Sequence, residues 1–290
     1  MHLIDGGLST ELESIGAHFK GELWTGQALL NEPDLVERAH KNFVDAGAEV
    51  IITASYQLSR AGFQEIGLSA KDADRALAKS VELAKSAVHG STCLVAASIG
   101  PYGAILHDGS EFRGDYRVSQ SQLEDFHSER LEVILAAKPD ILAIETIPNI
   151  IETKALAKVL KNIDLPSWFS FTAASGSKMW SGEPIEDAAG ELAELTNLMA
   201  AGVNCVQPIH VEELTRRINE VTGLPAIAYP NDGGKWDATT NTWSGQDSKT
   251  LVDWVPQWAD TAIEWVGGCC GTSAQEIAMV QLALSQSAER

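Results

Sequence analysis

Short apolar runs alternate with amphipathic stretches along most of this chain. The runs are Leu3–Ile4, Val50–Thr53, Leu94–Ala97, Ile141–Ile144, Trp168–Thr172, Val203–Val206, Ala226–Tyr229 and Ile263–Val266. They are short, rich in β-branched or aromatic residues, and most end in a Gly, Pro, Asn or Ser cluster, which is the pattern of a strand. The stretches between them carry helix signals. Pro33 can open a helix that turns Leu35, Val36, Ala39, Phe43 and Val44 inward and closes at Gly47. Ser119 with Gln122 and Ser273 with Glu276 form capping boxes ahead of apolar periodicity, and Asn149 with Glu152 resembles one. Further helices are expected over 71–89, 184–201, 211–222 and 248–259.

Eight strands alternating with eight helices is the count of a closed (β/α)₈ TIM barrel. A doubly wound open sheet would put a Gly-x-Gly-x-x-Gly turn after the first strand, and none is present. The chain has no linker, low-complexity tract or change of composition, so residues 1–290 read as one catalytic barrel domain. Longer connections are expected after strand two (53–70), strand three (100–118) and strand seven (230–247). All follow strand carboxyl ends, the face on which barrel enzymes build their sites.

Composition narrows the function. Apolar residues make up 44% of 290 and charged residues 21%, enough for a large core. Lys and Arg number 21 against 40 Asp and Glu, a net charge of −19, which repels phosphate backbones and anionic lipid and favours a cation. No nucleic-acid or membrane partner is expected. The start Met1-His2-Leu3-Ile4-Asp5-Gly6-Gly7 lacks the basic and apolar regions of a signal peptide, and no run of about 18 apolar residues exists to span a bilayer. The expected location is cytoplasmic, with reduced thiols. Adjacent cysteines such as Cys269 and Cys270 lie about 3.8 Å apart at Cα, closer than a relaxed disulfide allows.

The candidate chemistry gathers at the predicted strand ends. In chain order these carry Asp5-Gly6-Gly7, Thr53-Ala54-Ser55-Tyr56-Gln57, Gly100-Pro101-Tyr102-Gly103, Glu145-Thr146, Thr172, Asn204-Cys205, Tyr229-Pro230-Asn231 and Gly267-Gly268-Cys269-Cys270-Gly271-Thr272. Cys205 would cap strand six, and Cys269 and Cys270 strand eight, with only strand seven between them. Three thiolates so placed can hold a tetrahedral Zn²⁺ and leave its fourth position open; the competing reading is three small buried hydrophobes. Cys93, at the opposite end of strand three, reads as core. His107, His127 and His210 read as surface or satisfied residues. Trp24, Trp180, Trp236 and Trp243 fall in Gly-rich or polar stretches.

These residues resemble the zinc-dependent homocysteine S-methyltransferase family over essentially the whole chain, most closely its sulfonium-using branch. The likeness rests on the segments just given, extended by Leu8-Ser9-Thr10-Glu11-Leu12, Asp108-Gly109-Ser110-Glu111 and Ile147-Pro148-Asn149. The resemblance implies zinc held by Cys205, Cys269 and Cys270, with homocysteine sulfur in the open position. It implies that Glu145 holds the homocysteine ammonium, and it places Asp5 as the family's first-strand aspartate. Backbone N–H groups near Gly6, Gly7 or Ser55 would take the carboxylate, and Tyr56, Gln57 and Asn231 would complete the substrate site. The implied donor is S-methylmethionine before S-adenosylmethionine, drawn in by the acidic loop residues Asp108, Glu111 and Asp115, with Trp24 or Tyr102 facing the sulfonium. Folate users carry further domains that 290 residues do not accommodate, and the extra segment of betaine users is not found. Two departures from the family pattern are Val206-Gln207-Pro208, where a hydroxyl residue often follows the cysteine, and Ala173-Ala174-Ser175, where an Arg-Asp pair is common. The alternatives are a betaine-type methyltransferase, a zinc hydrolase, which would need His or carboxylate ligands, and a non-catalytic zinc- or thiol-binding barrel.

Overall fold

The apolar runs assemble into one parallel sheet that closes on itself. In the computed structural model, which describes residues 1–18, 25–237, 242–244 and 249–288, the strands are β1 (His2–Leu3), β2 (Val50–Ile52), β3 (Leu94–Ile99), β4 (Ile141–Ile147), β5 (Ser167–Phe171), β6 (Leu198–Asn204) and β7 (Ala226–Tyr229). A hairpin of β8 (Lys235–Asp237) and β9 (Thr242–Ser244) precedes β10 (Ile263–Val266). The sheet order is β1-β10-β7-β6-β5-β4-β3-β2, and Ile4 bridges Val50 in parallel to join the two ends. The architecture is a (β/α)₈ barrel, as the alternation of patterns predicts.

The strands read as continuous apolar runs because both faces are buried. Ile4, Val50, Ala96, Ile141, Ala143, Trp168, Ala200, Ile227 and Tyr229 fill the barrel interior, while Leu142 and Ile144 belong to the larger core beneath the helices. Trp168 fits among Ala96, Ala143 and Ala200, a large ring offset by small neighbours, and its indole N–H donates to the Tyr229 hydroxyl at 3.0 Å. Among the described residues no helix is long and apolar enough to cross a membrane.

Two expected elements differ. The helix expected over 184–201 stops at Gly190, and Leu198–Asn204 forms β6 instead. Leu198-Met199-Ala200-Ala201 has good helix propensity, but tertiary packing overrides it. At Gly202 a Cβ would lie 1.9 Å from the Ile227 carbonyl oxygen, so β6 meets β7 without room for a side chain there. The helix expected over 248–259 is an α-turn, Leu251–Trp254, followed by a 3₁₀ turn, Val255–Trp258, because Pro256 lacks the N–H that would continue the α ladder. The expected helix over 211–222 is Val211–Thr222, and the Ser119–Gln122 capping box opens the helix Gln120–Ala136.

The long connections after β2, β3 and β7 all lie at the carboxyl end of the barrel. A fourth follows β1 and carries the helices Leu8–Ser14 and Thr25–Asn31 before the first barrel helix, Pro33–Asp45. Glu11 pins that fourth loop: its carboxylate accepts from the Asn42 side chain at 2.6 Å and from Ala274 N–H at 2.9 Å, at the start of the last helix.

Candidate active site

The loops enclose a cavity of about 870 Å³ out to its mouth, floored by the strand ends. Of the residues singled out from sequence, Asp5, Gly6, Gly7, Tyr56, Glu145, Cys205, Cys269 and Cys270 line it. Three lie behind the wall. The Ser55 hydroxyl donates to the Ser98 carbonyl at 2.8 Å, Gln57 reaches the Ala104 carbonyl, and the Asn231 side-chain oxygen accepts from Gly233 N–H at 3.0 Å. Those side chains build loops. Gly7 N–H is likewise committed, donating to the Thr272 carbonyl at 2.9 Å, whereas Gly6 N–H makes no hydrogen bond among the described residues.

The sulfurs of Cys205, Cys269 and Cys270 lie within 4.8 Å of one another. Cys205 follows β6 with φ 48°, a left-handed conformation unusual for a residue with a side chain. Cys269 and Cys270 ride on a loop clamped from both sides. Cys269 N–H donates to the Pro230 carbonyl at 2.8 Å, and Asp232 N–H to the Cys270 carbonyl at 3.0 Å. On the other side a Cβ at Gly7 would stand 2.5 Å from the Cys269 carbonyl oxygen, so only glycine lets the β1 loop come so close. Cys205 and Cys269 are joined as a disulfide, with Cα atoms 5.6 Å apart, and Cys270 is free beside them. This corrects the expectation of wholly reduced thiols: strands β6 and β10 flank β7 closely enough to bring the two residues to disulfide range. Cys93 is a buried free thiol of the core. Three sulfurs converging at one point fit a tetrahedral soft-metal site, once the disulfide is reduced.

Three carboxylates share the cavity, and no Lys, Arg or His is among its described lining residues. Glu145 belongs to β4 itself, which continues past the expected end to Ile147. Burial pushes its carboxyl up to about 7, against the pull of hydrogen bonds from Ser98 and Tyr229 and of the Arg130 charge behind the wall. Asp5 is also raised by burial and by the nearby Glu145 charge, although Ile52 N–H donates to it at 2.7 Å. Burial likewise pushes Glu111 up to about 7. Tyr56 stays a neutral phenol, its pKa raised by burial and by the Glu111 charge.

Further side chains hold this arrangement from behind. Asn204 and Thr146 clasp the ends of β6 and β4: Thr146 N–H donates to Asn204 Oδ1, and Asn204 Nδ2 to the Thr146 hydroxyl, each at 2.7 Å. Thr146, like Cys205, has positive φ, 61°. Ser98, which bonds Glu145, is a lone hydroxyl inside an apolar run, and that was the available clue. Buried Arg130 donates to the carbonyls of Gly100, Ser55 and Tyr56, tying the β3 and β2 loops together. Buried His127 meets Glu152 at 2.8 Å, and Glu152 also accepts from Tyr102 N–H and the Tyr116 hydroxyl. Tyr102 packs on Tyr116 and Phe126 rather than lining the cavity, where Tyr56, Phe112 and Tyr229 are the described aromatic residues. Trp180 is exposed. Trp24 lies outside the described residues, as do the side chains of Trp236 and Trp243.

The family model for homocysteine S-methyltransferase matches residues 2–284. The homocysteine S-methyltransferase of Escherichia coli (strain K12) is 38% identical, over 96% of this chain and 94% of its own. Homocysteine S-methyltransferase 1 of Arabidopsis thaliana is also 38% identical, over 95% of this chain and 90% of its own. The crystal structure of the E. coli homocysteine methyltransferase MmuM in its metallated form superposes with a TM-score of 0.87 at 36% identity, covering 97% of this chain and 96% of that one. Its oxidized form gives the same TM-score, covering 97% and 95%.

Proposed function

This chain belongs to the homocysteine S-methyltransferase family, and on that premise we propose how its cavity performs the transfer. It is an enzyme that moves a methyl group to the sulfur of homocysteine, which yields methionine. The reading of its site rests on one observation above the others: three cysteine sulfurs and a buried glutamate open onto the same cavity.

Cys205, Cys269 and Cys270 in reduced form would hold Zn²⁺, which when bound supplies an open fourth position and a positive charge that favours the thiolate of an incoming thiol. Glu145 receives the homocysteine ammonium, kept in place by the hydroxyls of Ser98 and Tyr229. The N–H of Gly6, which makes no hydrogen bond among the described residues, receives its carboxylate. The Ser55 hydroxyl is spent on the Ser98 carbonyl, while the Ser55 N–H, like that of Gly6, makes no hydrogen bond among the described residues. The neutral phenol of Tyr56 and the ring of Phe112 wall the donor's side of the cavity and limit water. The homocysteine sulfur attacks a methyl carbon in line with a sulfonium sulfur. A new C–S bond forms as the old one breaks, the electron pair stays on the leaving sulfur, and that sulfur departs neutral without a general acid. A cavity with three carboxylates and no basic side chain among its described lining residues suits a cationic donor, S-methylmethionine before S-adenosylmethionine.

The test begins with reduction and zinc loading. About one Zn²⁺ per chain is expected by elemental analysis, falling in each of Cys205→Ala, Cys269→Ala and Cys270→Ala while the circular dichroism spectrum is kept. Methionine formation from homocysteine is then followed with S-methylmethionine, S-adenosylmethionine and betaine in turn. Full activity in metal-free enzyme would overturn the zinc assignment, and turnover with betaine alone would overturn the sulfonium.

A further inference from the structure

Glu111 lines the same cavity as Glu145, and beyond adding to its negative charge it has no role in the transfer described so far. It is fixed from its own backbone outward. The turn Ser110–Arg113 follows Gly109 in the left-handed conformation, and the Ser110 N–H donates to Asp108 at 2.9 Å. Gly103 presses on the Glu111 amide so closely that a Cβ there would stand 2.5 Å from its nitrogen. The carboxylate thus lines the cavity on a tightly packed loop, near enough to Tyr56 and Cys270 for its charge to act on both. Its Oε2 is buried with no hydrogen-bond partner. The cation of the same turn is turned elsewhere: Arg113 donates to Asp115 at 3.1 Å and to the Asp108 carbonyl at 2.8 Å. A buried carboxylate oxygen without a partner is costly to keep, and a cationic ligand would relieve that cost.

Two positive centres of the donor could serve, and the reaction distinguishes them. The sulfonium loses its charge as the methyl group leaves. A carboxylate against it would therefore bind the donor more strongly than the transition state and raise the barrier. The α-ammonium of an amino-acid sulfonium keeps its charge from start to finish, so a carboxylate there binds and orients the donor without opposing transfer. We propose that Glu111 is the donor-specificity residue, receiving the α-ammonium of a sulfonium amino acid as Glu145 receives that of homocysteine. The assignment rests on the sulfonium reading above. With S-methylmethionine as donor, both products are methionine.

The probes are S-methylmethionine and its desamino analogue, (3-carboxypropyl)dimethylsulfonium, which keeps the sulfonium and carboxylate. Glu111→Gln preserves shape and removes charge. In the zinc-loaded enzyme it should raise both the calorimetric Kd and the KM for S-methylmethionine by about ten- to a hundredfold, the scale of one charged hydrogen bond. The homocysteine KM and the Kd of the desamino analogue should not move. In the wild type, the analogue should already bind about ten- to a hundredfold more weakly than S-methylmethionine, a comparison that needs no variant to fold. Unchanged S-methylmethionine binding in Glu111→Gln, equal loss for the analogue, or loss falling on homocysteine would each overturn the assignment while leaving the sulfonium reading intact. A wild type that binds and uses neither sulfonium would overturn the reading and this assignment together.

Discussion

In the proposed role of holding the homocysteine ammonium, Glu145 ties the burial of one side chain to a property of the enzyme. Its carboxyl is pushed up to about 7 because burial penalises the charged form more than Ser98, Tyr229 and Arg130 favour it. An ammonium needs the charged form, so homocysteine affinity should rise with pH through about 7 and weaken below it. Glu145→Gln should lower affinity by roughly 1.5–3 kcal/mol and flatten that profile, read by calorimetry across the range. A profile kept in the variant would assign the titration to another group. Gly7→Ala is a second residue-scale prediction. Its Cβ would meet the Cys269 carbonyl oxygen at 2.5 Å, so the cysteine loop must shift; zinc occupancy should fall while the barrel's far-ultraviolet spectrum stays. At this scale the sequence was most legible where chemistry interrupts an apolar run at a strand end, as at Glu145, Cys205 and Cys269-Cys270. Ser55, Gln57 and Asn231 occupy equivalent positions, yet their side chains satisfy nearby backbone. Periodicity places a residue at a rim without saying whether its polar atoms face the cavity or the loop. The pairing of Asn204 with Thr146 was hidden for the same reason, since it joins strands 58 residues apart.

Among the elements, the helix Gln120–Ala136 does more than cover the barrel. Through Arg130 it holds three carbonyls from the β2 and β3 loops, and the ring of Phe126 packs at 5.1 Å from that guanidinium. Arg130→Leu leaves those acceptors buried and unpaired and should cost about 3 kcal/mol or more in urea unfolding. It should also loosen Tyr56, whose carbonyl is one of the three. Stability within about 0.5 kcal/mol of the wild type, the ordinary scale of a neutral substitution, would mean that water takes the guanidinium's place. The beginning of this helix was readable from its capping box, because a cap is a local contract between residues three apart. Ends that the local sequence does not mark depend on distant partners. Leu198–Asn204 is a strand because β5 and β7 flank it, a fact that the helix-favouring run Leu198-Met199-Ala200-Ala201 does not contain. The β1 connection, with its two extra helices, carries no such local mark, because its apolar residues pack on the barrel helix Pro33–Asp45 instead of forming a strand-to-helix repeat.

For the whole molecule, the alternation of apolar runs was enough to specify the barrel, while the electrostatics needed coordinates. The sequence suggested that Asp108, Glu111 and Asp115 together draw in a cationic donor. Arg113 sits 3.1 Å from Asp115 and 3.8 Å from Asp108, so its single charge offsets part of that pair, and within the cavity itself the pull comes from Glu111 and the other lining carboxylates. The general field remains, since the chain carries −19. Such a field discriminates between the two substrates by their own charge. A sulfonium amino acid carries one net positive charge at neutral pH, whereas homocysteine is a neutral zwitterion. Salt shortens the screening length from about 30 Å at 0.01 M to about 3 Å at 1 M. Across that range kcat/KM for S-methylmethionine should fall roughly two- to tenfold, at the low end of electrostatic steering because the ligand bears a single charge. The value for homocysteine, measured at saturating donor, should stay flat. The comparison separates a charge effect from a general effect of salt on the protein, which would lower both together. Equal loss for the two substrates would therefore remove the field from the account of donor capture, and leave recognition to the contacts inside the cavity.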